Sequence, residues 1–172
     1  ENQQLKNEAT YKEGKLDGNM ISYYEHGKKK SIGLNNDGSN IYVNNFYEDG
    51  VTYQSKDSCN GDLCYLKSYY QNGNLKLDAI EKDGKPHGIT KEYYENEQLK
   101  IEKKYNEGVI NGTVLEYYEN GQMKQKSVMK NDKLVEKKKW DENGKEVIPS
   151  KYKAKSVNYV LGRLKSPGTA RL

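Results

Sequence analysis

Apolar and polar residues alternate with a period of two over most of this chain, as in Thr113, Leu115 and Tyr117. Successive side chains of a β-strand point to opposite faces, so this alternation is typical of half-buried strands. Turn signals interrupt the alternation every 11 to 13 residues between Gly14 and Gly144. The pattern predicts an antiparallel meander of short strands, with no helical periodicity before residue 150.

An aromatic pair recurs along the chain in steps of 23 or 24 residues, which defines about six tandem β-hairpin repeats. The first aromatic column contains Tyr23, Phe46, Tyr69, Tyr93, Tyr117 and Trp140. The second column contains Tyr24, Tyr47, Tyr70, Tyr94, Tyr118 and Asp141. Residues 2–6 match residues 96–100, so we expect the chain to open inside a repeat, with further repeats upstream.

The two columns differ in chemistry. The first is always aromatic without a consistent hydroxyl, which favours a packed ladder, and the second always carries oxygen, which favours a wetter face. We therefore predict a binding role for the second-column tyrosines, and a smaller loss of stability on truncating Tyr94 than on truncating Tyr93. The alternative is that both columns are purely structural.

The other turn of each repeat carries a dipeptide such as Asp37-Gly38, Asn60-Gly61 or Asp83-Gly84. Such pairs accept the positive φ angles of tight hairpin turns. In three repeats a second glycine follows four residues later, at Gly18, Gly88 and Gly112, and these repeats hold one residue more before the aromatic pair. This coincidence predicts a glycine bulge that absorbs the extra residue.

Composition narrows the class of protein. The mean hydropathy of −1.14 is low for a folded domain, but 16 tyrosines at regular spacing argue against disorder. No apolar run is long enough for a membrane span. Residues 149–172 contain six basic residues and no acid, whereas the rest of the chain carries 23 basic and 25 acidic residues. The repeats are therefore nearly neutral, which disfavours nucleic acid as a partner.

Cys59 and Cys64 flank a turn signal. If residues 60–63 form a four-residue loop, the two cysteines face each other at bridging distance. A disulfide here would stabilise the fold by about 2 kcal/mol and would place the protein outside the cytosol. Two free thiols are the alternative. A metal site is disfavoured because His26 and His87 sit at turn positions in other repeats.

Motifs of catalysis are not apparent. The carboxylates that recur in register with the turns are typical of solubilising groups at strand ends, and they are Glu25, Glu48, Glu95, Glu119 and Glu142. We therefore expect no enzymatic activity and no cofactor.

The repeat resembles a known family. Residues 117–124 read Tyr-Tyr-Glu-Asn-Gly-Gln-Met-Lys, and turns such as residues 106–112 follow the same plan as the bacterial variant of the MORN repeat found in YwqK-type proteins. The resemblance covers roughly residues 1–147, with departures at Glu97, Asp141 and the strand at 28–36. It implies a non-catalytic array used for protein contacts. YwqK-type members are described as immunity partners of secreted toxins, and other MORN arrays are connected with lipid head groups or scaffolding.

The tail, residues 149–172, is different in kind. Ser156 is placed to cap a short helix in which Val157, Val160, Leu161 and Leu164 share one face. We predict a helix that covers the last hairpin. The alternatives are a basic segment that docks peripherally on a membrane or partner, and a segment unrelated to the native protein.

These features together predict a repeat array over residues 1–148 followed by the basic tail. The expected function is a non-catalytic protein-binding module of a bacterial cell-envelope or secreted protein, with another protein as its partner. The alternatives are an intracellular immunity protein that covers a toxin, and a module that binds anionic lipid or glycan through the tyrosine column or the tail.

Overall fold

A computed structural model describes residues 6–148, which form one antiparallel sheet. The strands are β1 (Asn7–Lys12), β2 (Lys15–Tyr23), β3 (Lys29–Asn36), β4 (Ser39–Phe46), β5 (Tyr53–Asn60), β6 (Leu63–Tyr69), β7 (Leu75–Lys82), β8 (Lys85–Tyr93), β9 (Leu99–Asn106), β10 (Val109–Ile110), β11 (Gly112–Tyr117), β12 (Met123–Lys130) and β13 (Lys133–Lys139). The predicted capping helix and basic tail at 149–172 lie outside the described residues.

Apart from the two-residue β10, each strand pairs with the next one along the chain, which confirms the predicted all-β meander of tandem hairpins. Strand β10 is short and pairs with β9. Strand β11 lies between β9 and β12 and pairs with both of them. After β13, the chain turns back, and Trp140 forms an isolated bridge with Glu146. Between residues 6 and 148 there is no helix that is long and apolar enough to cross a lipid bilayer.

Five tight turns follow the mirror-image geometry that their sequences predict. Both central residues have positive φ, for example Asp37 (48°) with Gly38 (81°) and Asn131 (48°) with Asp132 (59°). Turns of this kind match the right-handed twist of the flanking strands. The turn between β5 and β6 differs, because its central residues are Gly61 (φ 60°) and Asp62, and only the glycine has positive φ. The predicted turn at Asn60-Gly61 was therefore wrong by one residue.

Bulges adjust the lengths of the hairpins. Between Asp78 and Ile80 the chain of β7 advances by two residues, whereas the facing part of β8 advances by four. The two extra residues of β8 form a bulge around Gly88. In the hairpin of β3 and β4, which has no such glycine, one extra residue is absorbed at Ile41. Only the β5–β6 hairpin, within residues 6–148, pairs without a shift from its turn onward. The predicted glycine bulge is confirmed at Gly88, and the β3–β4 hairpin shows that a narrower bulge also forms without glycine.

The sheet is a single layer with a thin core. Among the described residues the buried apolar side chains are Phe46, Ala79 and Val114, and no large side chain is fully enclosed. Asn35 and Ser127 are also buried. With so little apolar burial, contacts between neighbouring repeats must carry more of the stability than a central core does.

Candidate functional site

One unbroken row of paired residues crosses the whole sheet on one face. The row runs Glu8, Ile21, Ile32, Asn44, Lys56, Lys67, Asp78, Lys91, Glu102, Leu115, Lys126 and Lys138. Residues paired side by side in an antiparallel sheet share a face. Five lysines stand against the three carboxylates of Glu8, Asp78 and Glu102, which gives the row a net charge of +2. We call this row the lysine row and its side of the sheet the lysine face.

The first aromatic column stands beside the lysine row. Each of its residues lies two positions after a row residue on the same strand, as Tyr69 follows Lys67 and Tyr93 follows Lys91. The strand period of two therefore places this column on the lysine face. Phe46 is 7% exposed, whereas the other residues of the column are half-buried.

The second column is fixed within the array by its hydroxyl groups. Each tyrosine donates a hydrogen bond to the main-chain carbonyl of the first-column residue in the next repeat, at 2.7 to 3.0 Å. The pairs are Tyr24 to Phe46, Tyr47 to Tyr69, Tyr70 to Tyr93, Tyr94 to Tyr117 and Tyr118 to Trp140. These tyrosines are half-buried, like most of the first column, so the expected contrast between a packed and a wetter column is absent. Their binding role stays a prediction.

Lysines cover the rings of the second column. In four repeats, the strand after the aromatic turn takes one extra residue, a lysine, whose ammonium group lies 5.4 to 5.8 Å from the ring centre. The pairs are Lys30 over Tyr24, Lys76 over Tyr70, Lys100 over Tyr94 and Lys124 over Tyr118. A bulge re-aims a side chain, which explains how this residue reaches the ring.

The aromatic turns are linked to one another by a second ladder. Asn96 donates from its side chain to the carbonyl of Glu119, and Asn120 donates in the same way to Glu142. His26 takes this place in the first turn, where its Nε2 donates to the Glu48 carbonyl and its ring stacks on Tyr24. His26 is thus exposed, as expected, and it also takes part in a hydrogen bond and a ring stack. The five recurring glutamates are exposed, in agreement with a solubilising role.

Cys59 and Cys64 form a disulfide across the β5–β6 hairpin, as predicted, with their Cα atoms 4.1 Å apart. The connecting loop is shorter than expected, because Asn60 and Leu63 still pair and only Gly61 and Asp62 form the turn. The disulfide lies next to the pair of Ser58 and Tyr65, and it therefore fixes the register of that pair.

The surroundings of several ionisable groups shift their pKa values. Burial raises the pKa of the Asp57 carboxyl, and repulsion from Glu81 raises it further. Burial also raises the pKa of the Tyr70 hydroxyl, with help from nearby glutamates. The pKa of Asp49 is lowered by hydrogen bonds from Thr52 and from the main chain of residue 51. Asp49 thus closes the turn between β4 and β5.

His87 was expected at a turn but lies inside β8, paired with Ile80. Its Nδ1 atom is buried and has no hydrogen-bond partner within the described part of the chain. Over the same residues, no three His, Cys, Asp or Glu side chains are grouped closely enough to hold a metal ion.

The fold and its contacts define a class of protein: an open, single-layer repeat sheet whose hairpins are joined by tyrosine and asparagine ladders. Three segments, residues 16–34, 86–107 and 110–131, match the MORN repeat variant. These segments correspond to the hairpins of β2 with β3, β8 with β9, and β11 with β12. The chain therefore contains MORN-variant repeats in these three segments.

Comparison with solved structures gives a partial likeness. The crystal structure of TarM is 14% identical with a TM-score of 0.40, and the match covers 62% of this chain and 21% of TarM. A mutant TarM from S. aureus, in complex with fondaparinux, alpha-GlcNAc-glycerol and UDP, is 13% identical with the same TM-score and coverage. This chain thus spans about a fifth of the length of these proteins. No curated protein matches it.

Sequence reasoning did not identify the lysine row. Its residues are scattered at uneven intervals along the chain, and only the pairing register aligns them. The signal available in the sequence was the residue two positions before each first-column aromatic, which is lysine at Lys67, Lys91 and Lys138.

Proposed function

We propose that this chain is a non-catalytic protein-binding module, which presents the lysine face to an acidic surface of a partner protein. The observation that carries the proposal is the unbroken lysine row beside the first aromatic column. Aromatic residues supply contact area at protein interfaces, and complementary charge steers the partner and sets its orientation.

The ladders support this function by holding the face in one shape before binding. Each tyrosine hydroxyl and each asparagine amide in the ladders joins two neighbouring repeats. A surface that is ordered in advance loses less conformational entropy on binding than a flexible one. An open, single-layer sheet suits a broad contact better than an enclosed site.

The disulfide supports a location in the cell envelope or outside the cell. Structural disulfides persist in oxidising compartments and are rare in reducing cytosol. A bridged Cys59–Cys64 pair therefore favours an envelope or secreted module over an intracellular immunity protein.

The test places a photo-crosslinking amino acid either on the lysine face at Lys67 or on the opposite face at Asn45, in cells that make the protein. We expect a discrete crosslinked protein from position 67 and none from position 45. Crosslinks from position 45 alone, or from neither position, would contradict the proposal.

The crosslinked partner, once purified, allows a matched comparison of two neighbouring lysines. Lys138 ends the lysine row, whereas Lys137 pairs with Ser127 on the opposite face. We expect Lys138→Glu to weaken binding about tenfold, which corresponds to about 1.4 kcal/mol, and Lys137→Glu to have little effect. Equal effects of the two changes would show that net charge, and not the lysine face, governs binding.

A further inference from the structure

The repeats are not equivalent, and their departures from the common plan cluster around β4, β5 and β6. The turn after β4 holds one extra residue, since Tyr47 bonds to Thr52 five positions on, whereas the corresponding tyrosines bond four positions on. The inserted Val51 is 76% exposed. The β5–β6 hairpin carries the disulfide and, within residues 6–148, is alone in having no bulge beside its turn.

The aromatic content of the lysine face is also highest in this region. Tyr42, Ser58 and Tyr65 pair side by side on β4, β5 and β6, so two tyrosines flank one small residue. The continuation of this row is Leu34 on one side and Ile80 on the other. The regular repeat pattern is thus interrupted where two tyrosine rings flank a gap above one small residue. Local departures of this kind mark functional sites.

The gap is a shallow depression of about 140 Å³, lined by Tyr42, Asn44, Lys56, Asp57, Ser58, Tyr65 and Lys67. The two tyrosines stand two strands apart, or about 9.5 Å, so one ring can stack between them above Ser58. Tyr65 is 45% exposed and accessible. The volume is well below the roughly 300 Å³ or more of pockets that hold drug-sized molecules, which limits the ligand to a single ring.

The charged groups of the depression are cationic. The Lys56 ammonium group lies 3.6 Å from the centre of the Tyr53 ring and makes no ion pair with a carboxylate among the described residues. Lys67 adds a second cation, loosely held by Asp78 at 3.4 Å. Asp57 also lines the depression, but it lies between Lys56 and Ser58 on its strand, so its side chain points to the other face. These groups favour an anion.

We propose that this depression binds one acidic sugar ring, such as a uronic acid residue of an anionic glycan. The C–H faces of the sugar would stack on Tyr42 and Tyr65, its hydroxyl groups would bond to Ser58 and Asn44, and its carboxylate would meet Lys56 and Lys67. A simple anion would use only the lysines, and an apolar ring only the tyrosines. This site shares Asn44, Lys56 and Lys67 with the lysine row, but it also needs Tyr42, Ser58 and Tyr65, which lie outside that row, so it does not rest on the proposed protein contact.

The test is an NMR titration of the full chain with methyl glucuronoside and, as matched probe, the neutral methyl glucoside. The two sugars differ only at the carboxylate carbon. We expect the glucuronoside to bind with a millimolar Kd, with shifts concentrated at Tyr42, Ser58 and Tyr65, and the glucoside to bind at least fivefold more weakly. Equal binding of both sugars, or shifts away from these residues, would overturn the proposal.

Variants separate the contributions of rings and charges. Tyr65→Ala should weaken glucuronoside binding about tenfold, Tyr65→Phe should largely retain it, and Lys56→Ala should remove the preference over glucoside. The controls are Tyr11→Ala, which removes an exposed tyrosine of β1, and Lys137→Ala on the opposite face. Neither control should change binding. If Tyr65→Ala fails to fold, Lys56→Ala decides on its own, and an unchanged preference overturns the proposal.

A hexaglutamate peptide distinguishes an acidic protein from a glycan as the occupant. Should the peptide compete with the glucuronoside at Tyr42 and Tyr65 and bind more tightly, the site recognises acidic peptide, and the sugar proposal fails while the proposed protein contact stands. If the sugar binds here and the Lys138→Glu change does not alter binding of the protein partner, the sugar proposal stands and the proposed protein contact fails.

Discussion

The hydroxyl of Tyr94 joins two repeats, and its removal tests how the array is held together. Tyr94→Phe deletes the 2.9 Å hydrogen bond to the carbonyl of Tyr117 and leaves the ring in place. The net contribution of one such bond is about 1 kcal/mol, and it is larger where the carbonyl is left without a partner. For a chain of this size, that loss lowers the melting temperature by about 2–4 °C.

Tyr93→Phe provides the matched control. Tyr93 is the preceding residue and is half-buried like Tyr94, but its hydroxyl makes no hydrogen bond within residues 6–148. We expect this change to alter the free energy of unfolding by less than about 0.5 kcal/mol, as for a surface substitution. Thermal melts and urea titrations of both variants measure the difference directly.

A pair of changes extends the test. Tyr70 donates to the carbonyl of Tyr93, so the bonds of Tyr70 and Tyr94 share no partner. The double variant with Phe at both positions should lose about 2 kcal/mol, the sum of the single losses. If Tyr93→Phe destabilised the protein as much as Tyr94→Phe, the hydroxyl ladder would not be what joins the repeats, and the reasoning would be refuted.

Three further predictions concern single sites. Folding raises the pKa of the Asp57 carboxyl, so the protein loses stability as the pH rises from the ordinary carboxyl pKa through the raised one. Asp57→Asn should therefore raise the melting temperature at pH 7 and not at pH 3. An equal gain at both pH values would contradict this. Glu97 holds a φ of 66° where the other repeats have glycine, so Glu97→Gly should stabilise by about 0.5–1 kcal/mol in urea unfolding, and a loss would show that its side chain contributes more than the strain costs. Replacing Cys59 and Cys64 by serine should cost about 2 kcal/mol, and alkylation of the unreduced wild-type protein should add no mass; uptake of two alkyl groups would mean free thiols.

Local sequence determined the architecture of this protein. The period of two, the aromatic pair every 23 or 24 residues and the turn dipeptides are short-range signals, and each hairpin contacts only its neighbours. A meander whose strands all pair in chain order can therefore be predicted from the chain itself. The pairing of Cys59 with Cys64 follows in the same way, because both lie on one hairpin.

The register of the sheet and the direction of its side chains were decided only in three dimensions. Column spacing shows that Tyr93 and Tyr94 point to opposite faces, but not that the second hydroxyl reaches a carbonyl 23 residues further along the chain. The hairpins contain a bulge of two residues, a bulge of one residue or no bulge beside the turn, and the sequence marks only the widest bulge with glycine. The lysine row depends on the sum of those bulges, because each bulge resets which residues stand side by side, and so it becomes visible only in the assembled sheet.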